Sequence, residues 1–103
     1  MDLSLTAGGF AAMGSEARLT VLKALIRAGE PGLTVGEIQT RTGIAPSTLA
    51  HHLKFLLAGG VIVQERMGRS TITRANFGAL KGLADFILSE CCADLCRKAA
   101  NDD

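Results

Sequence analysis

The three cysteines of this 103-residue chain all lie in the stretch SECCADLCRK, near its C-terminal end. Cys91 and Cys92 are adjacent, and Cys96 follows one helical turn later in the sequence. Thiolates bind soft, thiophilic ions, and neighbouring thiols can also be oxidised to a disulfide. Cysteine is equally a small apolar residue that often packs without chemical purpose. The cluster therefore permits a soft-ion site, a redox sensor or simple packing, and the surrounding elements must decide between them.

The length and composition of the chain predict a single domain that spans residues 1–103. Apolar residues make up 48% of the chain and charged residues 20%, as is typical of a soluble globular protein. No run approaches the roughly 18 to 20 consecutive apolar residues of a membrane span, and the first residues lack the positive charge of a signal peptide. We therefore expect a cytoplasmic protein with reduced thiols and no membrane partner. Its modest core favours burial of apolar surface against a second subunit.

Two short helices joined by a tight turn are predicted within residues 34–58. Thr34 and Glu37 have the spacing of a capping box, which opens a helix of about two turns. Gly43 can adopt the positive φ of a turn, and Pro46 suits the first position of the next helix, where its missing N–H costs nothing. A pair of glycines ends that second helix. This arrangement predicts a helix-turn-helix.

A change of period after residue 60 predicts a β-hairpin. Val61, Val63 and Ile72 alternate with polar residues, and a glycine supplies the turn between two strands. Arg66 and Arg69 fall at the tip of this two-stranded hairpin. The net charge of the chain is only +1, but cations concentrate in the hairpin and the preceding helices, whereas acids collect near the C-terminus. A helix-turn-helix followed by such a hairpin is a winged helix with a basic face.

Helices are also predicted on both sides of this unit. Residues 3–13 favour a short helix interrupted around Gly8-Gly9, and Ser15 caps a second helix with an apolar stripe. From Asn76, a long last helix continues to Lys98, with an apolar face broader than the small winged core needs. The predicted fold is mainly α with a small β-hairpin, a winged helix-turn-helix with apolar surface left for a partner.

Four segments of the chain carry a family resemblance. GSEARLTVLKAL, GLTVGEI, TGIAPSTLAHHLKFLLAGGVI and QERMGRS, in this order, resemble the ArsR/SmtB family of bacterial metal-responsive transcriptional repressors. The resemblance covers nearly the whole chain from Met13. It implies a homodimer, formed through the N- and C-terminal helices, that binds double-stranded operator DNA. The chain has TVGEIQ where many arsenic sensors of the family carry Cys-x-Cys, and its last helix lacks the histidines that zinc sensors use. The inducer must therefore be argued from this chain's own cysteines.

The second helix of the helix-turn-helix has one apolar and one polar face. Leu49, Leu53 and Leu56 recur at core spacing, so the polar residues between them point outward at about 100° per residue. Short polar groups suit base edges in a major groove, and cations suit phosphates. The predicted DNA contacts are Ser47, Thr48 and His51 to bases, Lys54 to phosphate, and Arg66 and Arg69 of the hairpin to backbone or minor groove.

Within this fold, the cysteine cluster is predicted to bind the inducer. Trivalent arsenic or antimony favours three thiolates in a pyramid, and Cys91, Cys92 and Cys96 supply three without a histidine or a carboxylate cage. Zinc would require a fourth ligand, which the stretch does not offer. Arg97 and Lys98 would favour the thiolate form by their charge. We therefore expect an As(III)- or Sb(III)-responsive transcriptional repressor that uses no organic cofactor.

Alternatives remain open at this point. A repressor of the same fold could sense thiol oxidation, or it could sense methylarsenite through only two cysteines. The chain could also be a constitutive DNA-binding module whose cysteines only pack. An enzyme is not expected, since the sequence offers no set of nucleophile, histidine and acid and no glycine-rich phosphate loop. In a regular last helix, Cys91 and Cys96 would lie more than a turn apart, so binding of one ion must bend that helix near Ala93-Asp94.

Overall fold

The computed structural model describes residues 2–95, which form five α-helices and three short β-strands. In chain order these are α1 (Leu3–Met13), α2 (Glu16–Ala28), β1 (Leu33–Thr34), α3 (Val35–Thr42), α4 (Pro46–Ala58), β2 (Ile62–Met67), β3 (Ser70–Ala75) and α5 (Phe77–Ser89). α3 and α4 form the helix-turn-helix, and β2 and β3 form the wing that follows it. The predicted winged helix-turn-helix, mainly helical with a small sheet, is confirmed. No helix in this described part is both long and apolar enough to cross a membrane.

Local hydrogen bonds set the geometry of the helix-turn-helix. The Thr34 N–H donates to Oε1 of Glu37 at 2.9 Å, and the Glu37 N–H donates to Oγ1 of Thr34 at 3.2 Å, so the predicted capping box is present. The hydrogen bond from the Thr34 backbone, and to a lesser extent the Thr34 side chain, holds the pKa of the Glu37 carboxyl below its ordinary value. α3 ends at Thr42, Gly43 follows with a left-handed φ of 73°, and Pro46 is the first residue of α4. The capping box and Gly43 thus delimit α3, whereas α4 begins at Pro46 without a side-chain cap.

The hydrophobic core packs against one side of α4. Leu49, Leu53 and Leu56 are buried there, at the spacing predicted from the sequence. The other buried apolar residues of this cluster come from the remaining elements: Ala12, Val21, Leu22, Leu25, Leu33, Ile38, Val61, Ile62, Ala75 and Leu83. Because close-packed interiors resist deformation, this cluster fixes the orientation of α4 and holds its opposite face toward solvent.

The sheet is larger than the predicted hairpin because β1 joins it. The strands are antiparallel in the order β1-β3-β2, and Leu33 of β1 lies opposite Thr73 of β3. Arg74 anchors the base of the wing, since its Nη1 lies 2.7 Å from Oε2 of Glu65 and its Nε donates to the carbonyl of Glu30 at 2.8 Å. The wing is therefore attached to the loop that precedes β1 as well as to α4.

Gly9 of α1 and Gly59 after α4 lie at points of close packing. The predicted interruption at Gly8-Gly9 is wrong, because α1 runs unbroken from Leu3 to Met13. A Cβ added at Gly9 would lie 3.0 Å from Cδ1 of Leu83 in α5. A Cβ added at Gly59, directly after α4, would overlap the Cβ of Ala12 and lie 2.9 Å from the backbone oxygen of Gly8. Gly9 thus lets α1 approach α5 closely, and Gly59 lets it approach the end of α4.

Replacing Gly59 with alanine should destabilise the fold by about 1–3 kcal/mol, because the added methyl group must displace the backbone of α1. The φ of −78° and ψ of −7° at Gly59 suit any residue, so lack of space is the cause. Gly36→Ala is the matched control, since a Cβ there would meet no atom within 4 Å. Urea unfolding at equal protein concentration measures both variants. Equal midpoints for the two variants would contradict the close approach of α1 and α4.

The last helix ends earlier than predicted. α5 stops at Ser89, and the prediction of an unbroken helix to Lys98 is therefore wrong. The Cys91 N–H donates to the carbonyl of Leu88 at 3.1 Å, and Cys92 has a left-handed φ of 60°. Leu88 is 67% exposed, so the core does not pack against this end of the helix. Since most helical stability in proteins comes from tertiary packing, an unsupported helix end is free to turn away.

Candidate DNA-binding surface and cysteine cluster

The outer face of α4 carries the side chains predicted to contact DNA. Ser47, Thr48, His51 and Lys54 are all exposed, on the side of the helix away from the buried leucines. Ser47 and Thr48 lie in the first turn, where backbone N–H groups without helical partners also suit a phosphate. His52 differs, since it is half-buried and its Nδ1 is shielded from solvent. The face can present short polar groups, an imidazole and an ammonium to one groove, and contact with DNA stays a prediction.

The tip of the wing carries the two predicted arginines. Arg66 and Arg69 are exposed on either side of the turn at Gly68, whose φ is 65°. Nε of Arg66 donates to the carbonyl of Gly68 at 3.2 Å, which holds this guanidinium close to the turn. Arg74 lies deeper in the wing and is paired with Glu65, so its charge is largely satisfied within the chain. Arg66 and Arg69 are therefore the wing cations best placed for phosphates.

Sequence reasoning missed two residues that contact the predicted DNA-binding face. Phe55 is 46% exposed, and its ring packs edge-on against His51 with 4.9 Å between ring centroids and 79° between ring planes. Arg18 of α2 places its Cζ 5.0 Å from the centroid of the Phe55 ring. An aromatic residue four positions after His51 was a visible signal for the first contact. Arg18 gave no such signal, because it is far from Phe55 in the sequence.

The first two cysteines of the cluster lie side by side in the turn after α5. Cys91 and Cys92 are both exposed, and their sulfurs are 3.7 Å apart. Cys96, the third predicted ligand, lies outside the described residues. Within residues 2–95, no group of three histidine, cysteine, aspartate or glutamate side chains is arranged to hold a metal ion. The structure therefore brings two of the three predicted ligands together.

The backbone at this cluster differs from the regular helix that the sequence predicts. The expected bend near Ala93-Asp94 presumed a straight helix that only ion binding would distort. The helix already ends at Ser89, and Cys92 has a positive φ, which a regular right-handed helix does not contain. A regular helix therefore does not run through Cys91 and Cys92, although residues 93–95 are helical again. The turn at 90–92 is the place where the chain can bring thiols together.

Proteins of known sequence or structure share this architecture. A family model described as a helix-turn-helix domain matches residues 13–65. The HTH-type transcriptional regulator YbzH of Bacillus subtilis is 30% identical over 93 residues, covering 79% of this chain and 93% of YbzH. An ArsR-like transcriptional regulator from Rhodococcus sp. RHA1 is 27% identical, with a TM-score of 0.78 over 96% of this chain and 90% of that one. The chain belongs to the ArsR family of winged helix-turn-helix transcriptional regulators.

Two more distant structures share the fold of this ArsR-family regulator. A homodimeric winged helix-turn-helix DNA-binding domain from Mycobacterium bovis is 24% identical, with a TM-score of 0.69 over 84% of this chain and 79% of that one. A possible transcriptional regulator for arsenical resistance is 22% identical, with a TM-score of 0.64 over 88% of this chain and 92% of that one. At these identities the likeness establishes the fold alone.

The regulator leaves an apolar surface exposed where α1 and α5 meet, which we call the α1/α5 surface. Leu3 and Leu5 of α1 are 66% and 75% exposed, and Ile87 and Leu88 of α5 are 56% and 67% exposed. Leu3 lines a cleft together with Phe86 and the end of α5, so the two helix ends are neighbours. Large apolar side chains grouped on the surface of a small protein mark an interaction site. The α1/α5 surface is therefore the candidate subunit interface.

Proposed function

We propose that this ArsR-family regulator is a cytoplasmic homodimeric repressor that releases its operator when As(III) or Sb(III) binds Cys91, Cys92 and Cys96. The observation that carries the proposal is the pair of exposed thiols, whose sulfurs lie 3.7 Å apart directly after α5. The role of the protein is binding, and no catalytic step is part of it.

The spacing of the two sulfurs suits a shared ion. The sulfurs of Cys91 and Cys92 are in contact at 3.7 Å, so a small rotation of either side chain would let both bind one ion. Both side chains are also exposed, so an ion can reach them. With Cys96 as the third ligand, three thiolates complete the shell of a trivalent metalloid, whereas zinc would require a fourth ligand.

The outer face of α4 supports the DNA-binding part of the proposal. We assign base contacts to Ser47, Thr48 and His51 and a phosphate contact to Lys54, since all four are exposed on one face. The wing arginines at the hairpin tip add phosphate or minor-groove contacts. The buried hydrophobic core holds α4 and its outer face in place. A rigid core favours a DNA-binding surface that is formed before DNA binds over one that becomes ordered on binding.

The inducer site adjoins the surface that we propose as the subunit interface. Cys91 donates its N–H to Leu88, an exposed residue of the α1/α5 surface. An ion bound to the thiols would fix the turn at 90–92 and thereby reorient Leu88 against the second subunit. Symmetric helix-turn-helix dimers require their two recognition helices about one DNA turn, or roughly 34–36 Å, apart. A reoriented interface would change this spacing, and operator affinity would fall by the corresponding coupling free energy.

A titration of the reduced protein with arsenite tests the proposal. The probe is a fluorescent duplex selected from a random library by the protein itself, and binding is followed by anisotropy. We expect loss of DNA binding as one arsenic binds per subunit, together with new near-ultraviolet thiolate–arsenic absorption. DNA binding that is unchanged at saturating arsenite would contradict the metalloid-responsive function and leave a DNA-binding regulator.

Two parallel titrations separate the proposal from its alternatives. A redox sensor would release DNA after peroxide treatment with loss of two titratable thiols, and it would ignore arsenite under reducing conditions. A methylarsenite sensor would respond to methylarsenite at far lower concentration than to arsenite, because methylarsenite offers only two positions to thiolates. Either pattern would replace the three-thiolate assignment.

A further inference from the structure

Arg18 of α2 binds the C-terminal end of α1. Its Nε donates to the carbonyl of Ala12 at 2.7 Å, and its Nη2 donates to the carbonyl of Ala11 at 3.3 Å. The last carbonyls of a helix have no partner within the helix, and the negative end of the helix dipole attracts a cation. α1 has no basic residue in its own last turn. Arg18 therefore supplies from α2 the charge and the donors that the end of α1 lacks.

The same guanidinium also contacts the recognition helix. Its Cζ lies 5.0 Å from the centroid of the Phe55 ring, within the range of a cation–π interaction. The Phe55 ring in turn meets the imidazole of His51 edge-on, at 4.9 Å between centroids. A guanidinium held by two carbonyls has little freedom, so the Phe55 ring in contact with it is confined as well. A continuous line of contacts thus runs from the end of α1 through Arg18 and Phe55 to His51.

The close approach at Gly59 strengthens this connection. Ala12 accepts the shorter hydrogen bond from Arg18, and a Cβ added at Gly59 would overlap its side chain. The end of α1 is therefore held both against the C-terminal end of α4 and, through Arg18, against the ring of Phe55. A displacement of α1 would move the guanidinium relative to that ring.

We propose that Arg18 is a positioning residue for DNA recognition, which acts through Phe55 to orient the imidazole of His51 toward its base. The inference rests on the proposed contact of His51 with DNA and goes beyond it by naming what fixes that contact. Phe55 is 46% exposed, His51 is exposed, and neither belongs to the buried core cluster, so the core does not set their mutual orientation. The guanidinium provides the constraint that the core does not. If Arg18 only capped α1, a change at Arg18 would affect all DNA contacts alike.

A double-mutant cycle on operator affinity separates these roles. Arg18→Lys keeps the charge but loses the planar group that contacts the ring and binds two carbonyls. We expect Arg18→Lys to weaken operator binding severalfold in the wild-type background and less than twofold in the His51→Ala background. The matched cycle with Thr48→Ala, another predicted base contact, should show independent effects. Equal losses from Arg18→Lys in the His51→Ala and wild-type backgrounds would overturn the proposal.

Variants of Phe55 test the intermediate contact while the cap on α1 stays intact. Phe55→Leu removes the ring and should reproduce the loss seen with Arg18→Lys, whereas Phe55→Tyr keeps the ring and should bind the operator as the wild type does. Base preference should relax in both Arg18→Lys and Phe55→Leu at the one operator position where His51→Ala relaxes it. Wild-type operator affinity in Phe55→Leu would show that Arg18 acts only as a cap, which overturns the positioning role.

The experiment also distinguishes failure of the inference from failure of the proposed function. All measurements are made without arsenite, so they are independent of the inducer assignment. If His51→Ala binds the operator as the wild type does, the proposed base contact is wrong and the positioning role falls with it. If His51→Ala loses affinity but the Arg18 effect is independent of it, the base contact stands and only the positioning role is overturned. Urea midpoints for each variant confirm that the compared proteins are folded.

Discussion

His51→Ala should weaken operator binding about tenfold or more while leaving the affinity for random duplex DNA unchanged. A well-placed base contact contributes about 1–3 kcal/mol of discrimination between sequences, and random DNA does not offer that contact. His51 is exposed on the outer face of α4, so its removal should not disturb the core. Anisotropy titrations with the selected operator and with a scrambled duplex measure the ratio of the two affinities.

The wing arginines are predicted to contact phosphates, so their removal should affect all DNA sequences alike, unlike the removal of His51. Arg66→Ala or Arg69→Ala should weaken binding to both duplexes and lower the salt dependence of log K by about 0.9 for each phosphate that is no longer neutralised. Lys81→Ala is the charge-matched control, because Lys81 lies on α5 and is paired with Asp85 at 2.7 Å. A uniform loss of affinity in His51→Ala, or a salt slope that falls equally in Lys81→Ala, would contradict the assignment of base and phosphate contacts.

Serine at positions 91, 92 and 96 together should leave operator binding intact and abolish its sensitivity to arsenite. A serine hydroxyl has nearly the shape of a thiol but does not form the thiolate bond that a trivalent metalloid requires. Cys91 and Cys92 are exposed, so their replacement should change stability by no more than about 0.5 kcal/mol. The arsenite titration of the operator complex, repeated with this triple variant, measures the effect directly.

Single substitutions then establish how many thiolates the response needs. In a three-thiolate site, each of Cys91→Ser, Cys92→Ser and Cys96→Ser should raise the arsenite concentration for release strongly. Retention of the full response in Cys96→Ser would indicate that Cys91 and Cys92 suffice. Release of DNA from the triple variant at the wild-type arsenite concentration would exclude the cysteine cluster as the inducer site.

The helix-turn-helix and its exposed face could be predicted because their signals are local. Thr34 and Glu37 bond each other within one helical turn, and Pro46 begins a helix through its own fixed φ. Once α4 is a helix with Leu53 at its centre, 3.6-residue periodicity places His51 on the opposite side. These relations depend on residues within a few positions of one another, so spacing alone carries them.

Contacts between distant parts of the chain were decided by the fold. Spacing suggested that Gly8-Gly9 breaks a helix, whereas packing against Leu83 uses Gly9 as a point of close approach. The contact of Arg18 with Phe55 likewise exists only because α1, α2 and α4 meet at one corner. α5 ends early, at Ser89, where Leu88 is exposed and the core does not pack against the helix. The sequence of the last turns alone did not indicate this lack of tertiary packing. Local periodicity determined which faces of these helices are apolar. Only the tertiary packing determined which side chains meet, because contacts between helices that are far apart in the sequence depend on how their surfaces fit together.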